Sequence, residues 1–280
     1  MSENSYPSAE SPLQNIRHVI AVASGKGGVG KSTTTVNMAL ALAAQGARVG
    51  VLDADIYGPS IPMMLGVESL RPDVVDNKAM KPIAAQGIVA LSMGNLVTDK
   101  TPMVWRGPMA SGALMQLLTQ TLWPELDYLL IDMPPGTGDI QLTLSQKVPL
   151  TGAVIVSTPQ DIALLDAKKG IEMFTKVKVP VLGVVENMAV HVCSQCGHEE
   201  HIFGAEGGNR IAREYQTTLL GALPLDLSIR EGGDAGKPVV AAKPDSSVAK
   251  AYLAIAAQLR DQVENKTENK PQPTIIIADD

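Results

Sequence analysis

The sequence predicts an α/β chain, in which a mostly parallel sheet is flanked by helices on both faces. Two observations carry that prediction. Short apolar runs rich in Val, Ile and Leu alternate with longer helix-like stretches along most of the 280 residues, the pattern of repeated strand–helix units. In addition, the glycine-rich loop Gly25-Lys26-Gly27-Gly28-Val29-Gly30-Lys31-Ser32 stands between the first strand and the first helix.

The first strand is expected at His18–Ala23, with further strands at Val49–Asp53, Ile88–Ser92, Tyr128–Asp132, Ala153–Ser157, Val181–Val185 and Leu219–Leu223. The first helix is expected at Ser32–Gln45, closed by Gly46. Others follow at Gly112–Thr121, Ile140–Lys147, Ile162–Lys176, Ala205–Tyr215 and Ser247–Val263. The last of these mixes both charges with no net basic face, as a docked helix does. One domain is expected over 16–265. Residues 1–15 and 266–280 read as tails, the second with Pro271, Pro273 and the small apolar patch Ile275-Ile276-Ile277.

The glycine-rich loop fits G-x-x-x-x-G-K-[ST], which makes the expected domain a P-loop NTPase. Glycines let backbone N–H groups turn around phosphate oxygens, and the helix N-terminus adds a favourable dipole. The cradle runs from Gly25 to Thr33. Lys31 is expected on the β- and γ-phosphates, and the Ser32 hydroxyl on Mg²⁺.

Composition narrows the classes. Hydrophobic residues make up 45% of the chain, enough for a sizeable core. The net charge is −6 with no Lys/Arg block, so no nucleic-acid footprint is expected. No apolar run approaches the roughly 18 residues of a membrane span, and residues 1–14 lack the apolar core of a signal peptide. The two cysteines are spaced C-x-x-C, which argues for a metal or redox site in the cytoplasm rather than a disulfide framework.

Acidic residues extend the nucleotide site. Leu129-Leu130-Ile131-Asp132 is an apolar strand ending in aspartate, the Walker B pattern that holds Mg²⁺, an ion that prefers hard oxygen ligands. Met133-Pro134-Pro135-Gly136-Thr137-Gly138-Asp139 follows, and its glycines suit a segment that rearranges with the γ-phosphate. A second acidic pair, Asp53 and Asp55, follows another strand. Asp53 either assists the metal or caps the turn. The guanine-reading N-K-x-D motif is absent, since Asn77-Lys78-Ala79-Met80 lacks the aspartate, so ATP is favoured. Asn187, at a strand end, is the candidate for hydrogen bonding to adenine.

The remaining motif is the cysteine loop, 188–203. Two thiolates at C-x-x-C spacing, Cys193 and Cys196, can hold one face of a zinc ion or an iron–sulfur cluster. Two copies about a symmetry axis would complete four sulfur ligands. With His191, His198 and His201 close by, a Cys₂His₂ zinc site within one chain is an alternative. A redox pair and unligated cysteines are others.

Taken together, these motifs resemble a known family. A loop with Lys26 as well as Lys31 resembles the deviant Walker A ATPases, MinD-like P-loop NTPases in which the early lysine reaches the partner's nucleotide. A cation supplied in trans can be worth roughly 10³–10⁵ in rate. Within that group, Gly25–Ser32, Asp53-Ala54-Asp55-Ile56-Tyr57-Gly58-Pro59-Ser60, Val104-Trp105-Arg106-Gly107-Pro108, Ile131–Asp139, Thr158-Pro159-Gln160, Glu186-Asn187-Met188 and Cys193-Ser194-Gln195-Cys196 resemble the Mrp/ApbC iron–sulfur cluster carrier ATPases.

The resemblance spans about Ile16 to Pro238. It implies a homodimer that hydrolyses ATP slowly, holds a [4Fe–4S] cluster between subunits, and passes it from scaffold proteins to apo-proteins. It also implies catalytic roles for Lys26, Lys31, Asp55 and Asp132, with Asp55 acting on the attacking water. Ser32, Asp55 and Asp132 are implied on Mg²⁺, Asn187 and Pro224 at the base, and Cys193 and Cys196 as cluster ligands. Trp105 and Arg106 belong to the resemblance without an assigned role. The chain's short lead before the first strand implies that the extra N-terminal domain of some bacterial members is lacking. The N-terminal four-cysteine cluster of eukaryotic relatives is absent too. The alternative is a MinD/ParA-like spatial-regulation ATPase with a structural zinc loop.

Overall fold

A computed structural model describes residues 13–76, 78–96 and 107–268. Trp105 and Arg106 lie outside them, as do Asn77, most of the two expected tails and the apolar patch Ile275–Ile277.

The chain begins in strand β1 (Ile16–Ala23), turns through the glycine-rich loop, and enters helix α1 (Lys31–Ala44). Next come β2 (Val49–Asp53), the short helix α2 (Ile61–Met64), and the two-residue strands β3 (Val74–Val75) and β4 (Ala79–Met80). A tight hairpin of β5 (Ile83–Ala85) and β6 (Ile88–Ser92) leads towards α3 (Gly107–Thr119), β7 (Leu126–Asp132) and α4 (Asp139–Lys147). The second half holds β8 (Gly152–Ser157), α5 (Asp161–Lys176) and β9 (Val181–Glu186). The ribbon β10 (His191–Val192) and β11 (Glu199–Glu200) follows, and then α6 (Gly207–Glu214), β12 (Leu219–Ala222), α7 (Leu227–Asp234), α8 (Val239–Ala242) and α9 (Ser247–Glu268).

Every expected strand and helix is present, with ends shifted by a few residues. The larger shifts are at α3, which starts before Gly112, and α9, which runs past Val263 to Glu268. The unforeseen elements are short. β5 pairs antiparallel with β6 through Gln86 and Gly87, both at positive φ, as a two-residue primed turn requires.

The main sheet has eight strands in the order β12-β9-β8-β1-β7-β2-β6-β5, parallel apart from the β5–β6 pair. Alternate residues of β1 enter two separate cores. Ile20 and Val22 pack with α1, α8 and α9 on one face, and Val19, Ala21 and Ala23 with α3, α4, α5 and α6 on the other. A strand covered on both sides has to be apolar throughout, which is why these strands read as unbroken runs.

The order places β1 at the reversal. The chain leaves β1 towards β2 on one side, while β8 returns on the other. In doubly wound sheets ligands bind at such a switch point, outside the carboxyl ends of the strands. Register brings the acids there as well, because β2 and β7 pair with Asp53 opposite Asp132. None of the described helices is long and apolar enough to cross a membrane.

Candidate functional site

The loop after β1 presents an open helix end. Gly30 precedes α1 in the left-handed region, no side chain caps the helix, and its first turn holds no acidic residue. The first amides of a helix have no partner within it, so this end is free to take an anion. Two glycines are required by contact. A Cβ on Gly25 would meet the Asp166 carbonyl carbon of α5 at 2.1 Å, and one on Gly30 (φ 81) would meet Asn187 Nδ2 at 2.1 Å. Gly28, also at positive φ, faces open space.

Around this loop lies a hollow of about 210 Å³, bordered by Lys26, Gly28, Lys31, Ser32, Thr33 and Asp55. Behind it, Asp132 is fully buried. Lys31 Nζ stands 2.8 Å from its Oδ2, with the lysine only 6% exposed. Ser32 Oγ donates to the same oxygen at 2.6 Å, and Thr35 Oγ1 lies 2.8 Å from Oδ1. Thr35 sits on the same side of α1 as Ser32 one turn on, a spacing visible in the sequence but not singled out there. The segment after Asp132 runs along the loop, with the Gly136 amide donating to the Ser24 carbonyl at 3.0 Å and Pro135 lining the hollow.

Asp53 and Asp55 take different places. Asp53 Oδ2 accepts from the Ser60 and Ile61 amides at 3.2 Å and from Ser92 Oγ at 2.9 Å, and its Oδ1 accepts from the Asp55 amide at 3.1 Å. It therefore ties the 54–60 loop and the start of α2 to the sheet, which favours the turn-capping role over a metal role. Burial, and then neighbouring Asp132, push its carboxyl upward against the Ser92 hydrogen bond and Lys31. Asp53→Ala is expected to lower the unfolding free energy by about 3 kcal/mol or more. Four donors lose their acceptor, at about 1–3 kcal/mol for each left buried and unsatisfied. A urea unfolding curve checks it. Asp55 instead lines the hollow, half-buried; burial pushes its carboxyl up while Lys31 pulls it down.

Beside the phosphate hollow opens a second one, of about 190 Å³, bounded by Gly30 and Thr33, by Met63 and Met64 of α2, by Asn187 and Met188 after β9, by Pro224 and Leu225, and by Ile229 of α7. Asn187 Nδ2 donates to the Val29 carbonyl at 2.9 Å, so one side chain joins the loop to this pocket. Its walls combine sulfur and branched aliphatic side chains with Asp226, Arg230 and Asp234 of the 226–234 segment. The methionines and Ile229 were not foreseen, since they converge from segments far apart in the chain.

The cysteines occupy the turn of the β10–β11 ribbon. Cys193 accepts hydrogen bonds at sulfur from the Gln195 and Cys196 amides and from the Cys196 thiol, which hold its thiol below the usual range. The Cys193 amide donates to the His198 carbonyl at 2.9 Å, and the Gly197 amide to the Cys193 carbonyl at 2.9 Å. Both cysteines are free, and Cys196 is exposed. Among the described residues, no three His, Cys, Asp or Glu side chains gather as a metal site. His191 and His201 turn Nδ1 towards backbone carbonyls instead.

A phosphate loop at the sheet's switch point, backed by a buried strand-end aspartate and flanked by a second hollow, defines a P-loop nucleotide-binding protein of the MinD and ParA class. The model of one family in that class, the ParA-group NUBPL iron-transfer P-loop NTPases, matches residues 15–260. The chain belongs to that family. The iron-sulfur cluster carrier protein of Escherichia coli (strain K12) is 62% identical over 251 residues, 90% of this chain and 67% of that protein. A nucleotide-binding protein of Archaeoglobus fulgidus, solved in complex with ADP and with cobalt found in it, superposes with a TM-score of 0.72 at 40% identity, over 82% of this chain and 92% of that one. The septum site-determining protein MinD of Pyrococcus horikoshii, complexed with Mg-ADP, gives a TM-score of 0.68 at 25% identity, over 89% and 98% of the two chains.

Proposed function

We propose that this chain is an ATP-hydrolysing iron–sulfur cluster carrier that works as a homodimer in the cytoplasm. It takes a [4Fe–4S] cluster from a scaffold protein and gives it to apo-proteins. The observation that carries this reading is the pair of thiols at the ribbon tip. They lie a few residues beyond Asn187 of the base pocket, and one chain gathers no further ligand beside them among the described residues. Two sulfurs are half of a four-thiolate set. A second copy related by a two-fold axis supplies the other half. A cargo shared across such a contact is released when the contact opens.

Nucleotide is the switch in this reading. The uncapped α1 terminus and Lys31 take the phosphates, and Asn187 with Pro224 takes the base. Ser32, Asp132 and Asp55 offer the hard oxygens that Mg²⁺ prefers, and the ion there would neutralise phosphate charge. Asp55, in the hollow and near Lys26 and Lys31, orients the attacking water, and Lys26 serves the partner's nucleotide. Hydrolysis is slow because it times a conformational change. Asp55→Asn is expected to remove hydrolysis while shifting unfolding free energy by less than about 1 kcal/mol, because it keeps an acceptor oxygen for the Tyr57 and Gly58 amides. A phosphate-release assay beside a urea curve tests both halves.

The deciding experiment measures iron, sulfide, zinc and native mass on protein reconstituted without oxygen. Four iron and four sulfide per dimer are expected, by the chemistry of a cubane cluster. Cys193→Ala and Cys196→Ala should each abolish the iron while leaving ATP affinity of the iron-free protein unchanged. One zinc per monomeric chain, with no iron uptake, overturns the carrier reading in favour of a MinD/ParA-like ATPase with a structural zinc loop.

A further inference from the structure

One short segment, Met188–Val192, separates Asn187 from Cys193, and it is laced to the wall of the base pocket. The Ala189 amide donates to the Leu223 carbonyl at 2.9 Å, and the Leu225 amide donates back to the Val190 carbonyl at 2.8 Å. Met188 and Leu225 themselves line the pocket. Two imidazoles complete the lacing. His191 Nδ1 lies 3.3 Å from the Leu225 carbonyl oxygen, and His201 Nδ1 lies 2.7 Å from the Ala189 carbonyl oxygen. A carbonyl only accepts, so Nδ1 carries the proton in both rings.

The placement of the two rings is reciprocal. His191 opens strand β10, and His201 directly follows β11, so one leg of the cysteine hairpin is pinned to the pocket wall at Leu225, and the other to Ala189 of the connecting segment, whose amide is in turn bonded to Leu223. Neither ring belongs to either apolar core. Met188, where the hairpin segment departs, has φ 57, a left-handed conformation that persists in such a residue only when its surroundings over-determine it.

We propose that His191 and His201 are positioning residues that couple occupancy of the base pocket to the geometry of the cysteine hairpin. A base seated against Met188 and Leu225 fixes the wall, and the two N–H···O contacts carry that constraint to Cys193 and Cys196. By linkage, whatever occupies the thiols changes nucleotide affinity by the same factor. The proposal rests on the nucleotide reading of the pocket and is independent of what the thiols carry.

The chain has only two cysteines, so thiol reactivity reports on the hairpin alone. The test follows the reaction of metal-free protein with a disulfide reagent such as DTNB, with and without Mg-ADP. A change of about fivefold or more in the rate constant is expected. It should be lost in His191→Leu and His201→Leu, and kept in His191→Asn and His201→Asn, whose amide nitrogen stands near the position of Nδ1. A rate that ignores bound ADP in the unsubstituted protein overturns the proposal, and so does a shift that survives in both Leu variants. Hydrogen exchange gives a readout that needs no substitution. ADP should slow the Leu225 and Cys193 amides together, and slowing confined to Leu225 overturns the link. Absence of ADP binding by calorimetry would fell the pocket reading and this proposal with it, whereas a chain that takes up no iron leaves this proposal standing.

Discussion

Replacing Lys31 by methionine is expected to abolish hydrolysis and, separately, to destabilise the nucleotide-free chain by about 3–5 kcal/mol. The second effect follows from burial. Lys31 is 6% exposed and its partner Asp132 is 0% exposed, so the substitution strands a carboxylate where water cannot reach it. Ser32 and Thr35 still donate to Asp132, but they bring no opposite charge. The double variant Lys31→Met with Asp132→Leu is expected to recover most of that stability, because removing both charges leaves neither unpaired. It is not expected to recover any hydrolysis, having lost together the side chains proposed for the phosphate and for the metal. Chemical denaturation and phosphate release on the same samples separate the effects. A double variant as unstable as the single one would show that the Ser32 and Thr35 hydrogen bonds to Asp132, and not the orphaned charge, dominate.

Gly25→Ala is expected to reduce kcat/KM for ATP by about 100-fold, the cost associated with a misplacement of roughly 1 Å at a reacting centre. The added carbon would stand 2.1 Å from the Asp166 carbonyl carbon and 2.6 Å from the Ala167 amide nitrogen. Both are helix backbone and cannot rotate away, so the phosphate loop itself has to move. Gly28→Ala is the control. Nothing lies within 4 Å of its added carbon, so only the positive φ opposes it, at about 1 kcal/mol. Equal losses in the two variants would mean that the close approach to α5 adds nothing at Gly25, whose φ, unlike that of Gly28, lies outside the left-handed region.

The parts of the site that were legible in the sequence are those whose chemistry is local. The phosphate loop needs glycines, lysine and serine at fixed spacing, and the thiol pair needs two cysteines on one turn; both are contiguous. The Walker aspartate was readable because a strand buried on both faces is an apolar run, which makes its terminal Asp132 conspicuous. The hollow proposed for the base was only half readable. Asn187 and Pro224 were named, but Met63, Met64 and Ile229 reach it from α2 and α7, helices of four and eight residues, too short for a helical period to register. Asp53 illustrates the remaining ambiguity. An aspartate beside a second aspartate fits metal binding or turn capping equally well, and the Ser60, Ile61 and Ser92 donors that decide for capping are set by tertiary contact. The histidines left a zinc site open as an alternative by residue type, whereas Nδ1 of His191 and of His201 faces the backbone carbonyls of Leu225 and Ala189.

The two outermost strands determine how copies of this chain can meet. β5 has three residues and runs against its neighbour, while β12 has four and slips register between Leu219 and Gly221. A long, flat border strand is a template on which further molecules add without end, and short or irregular borders deny that growth. Edge-to-edge addition is thereby disfavoured at both margins of the sheet. In the homodimer proposed above, a contact about a two-fold axis would be satisfied once two copies had joined, which closes the assembly as firmly as the short borders close the sheet.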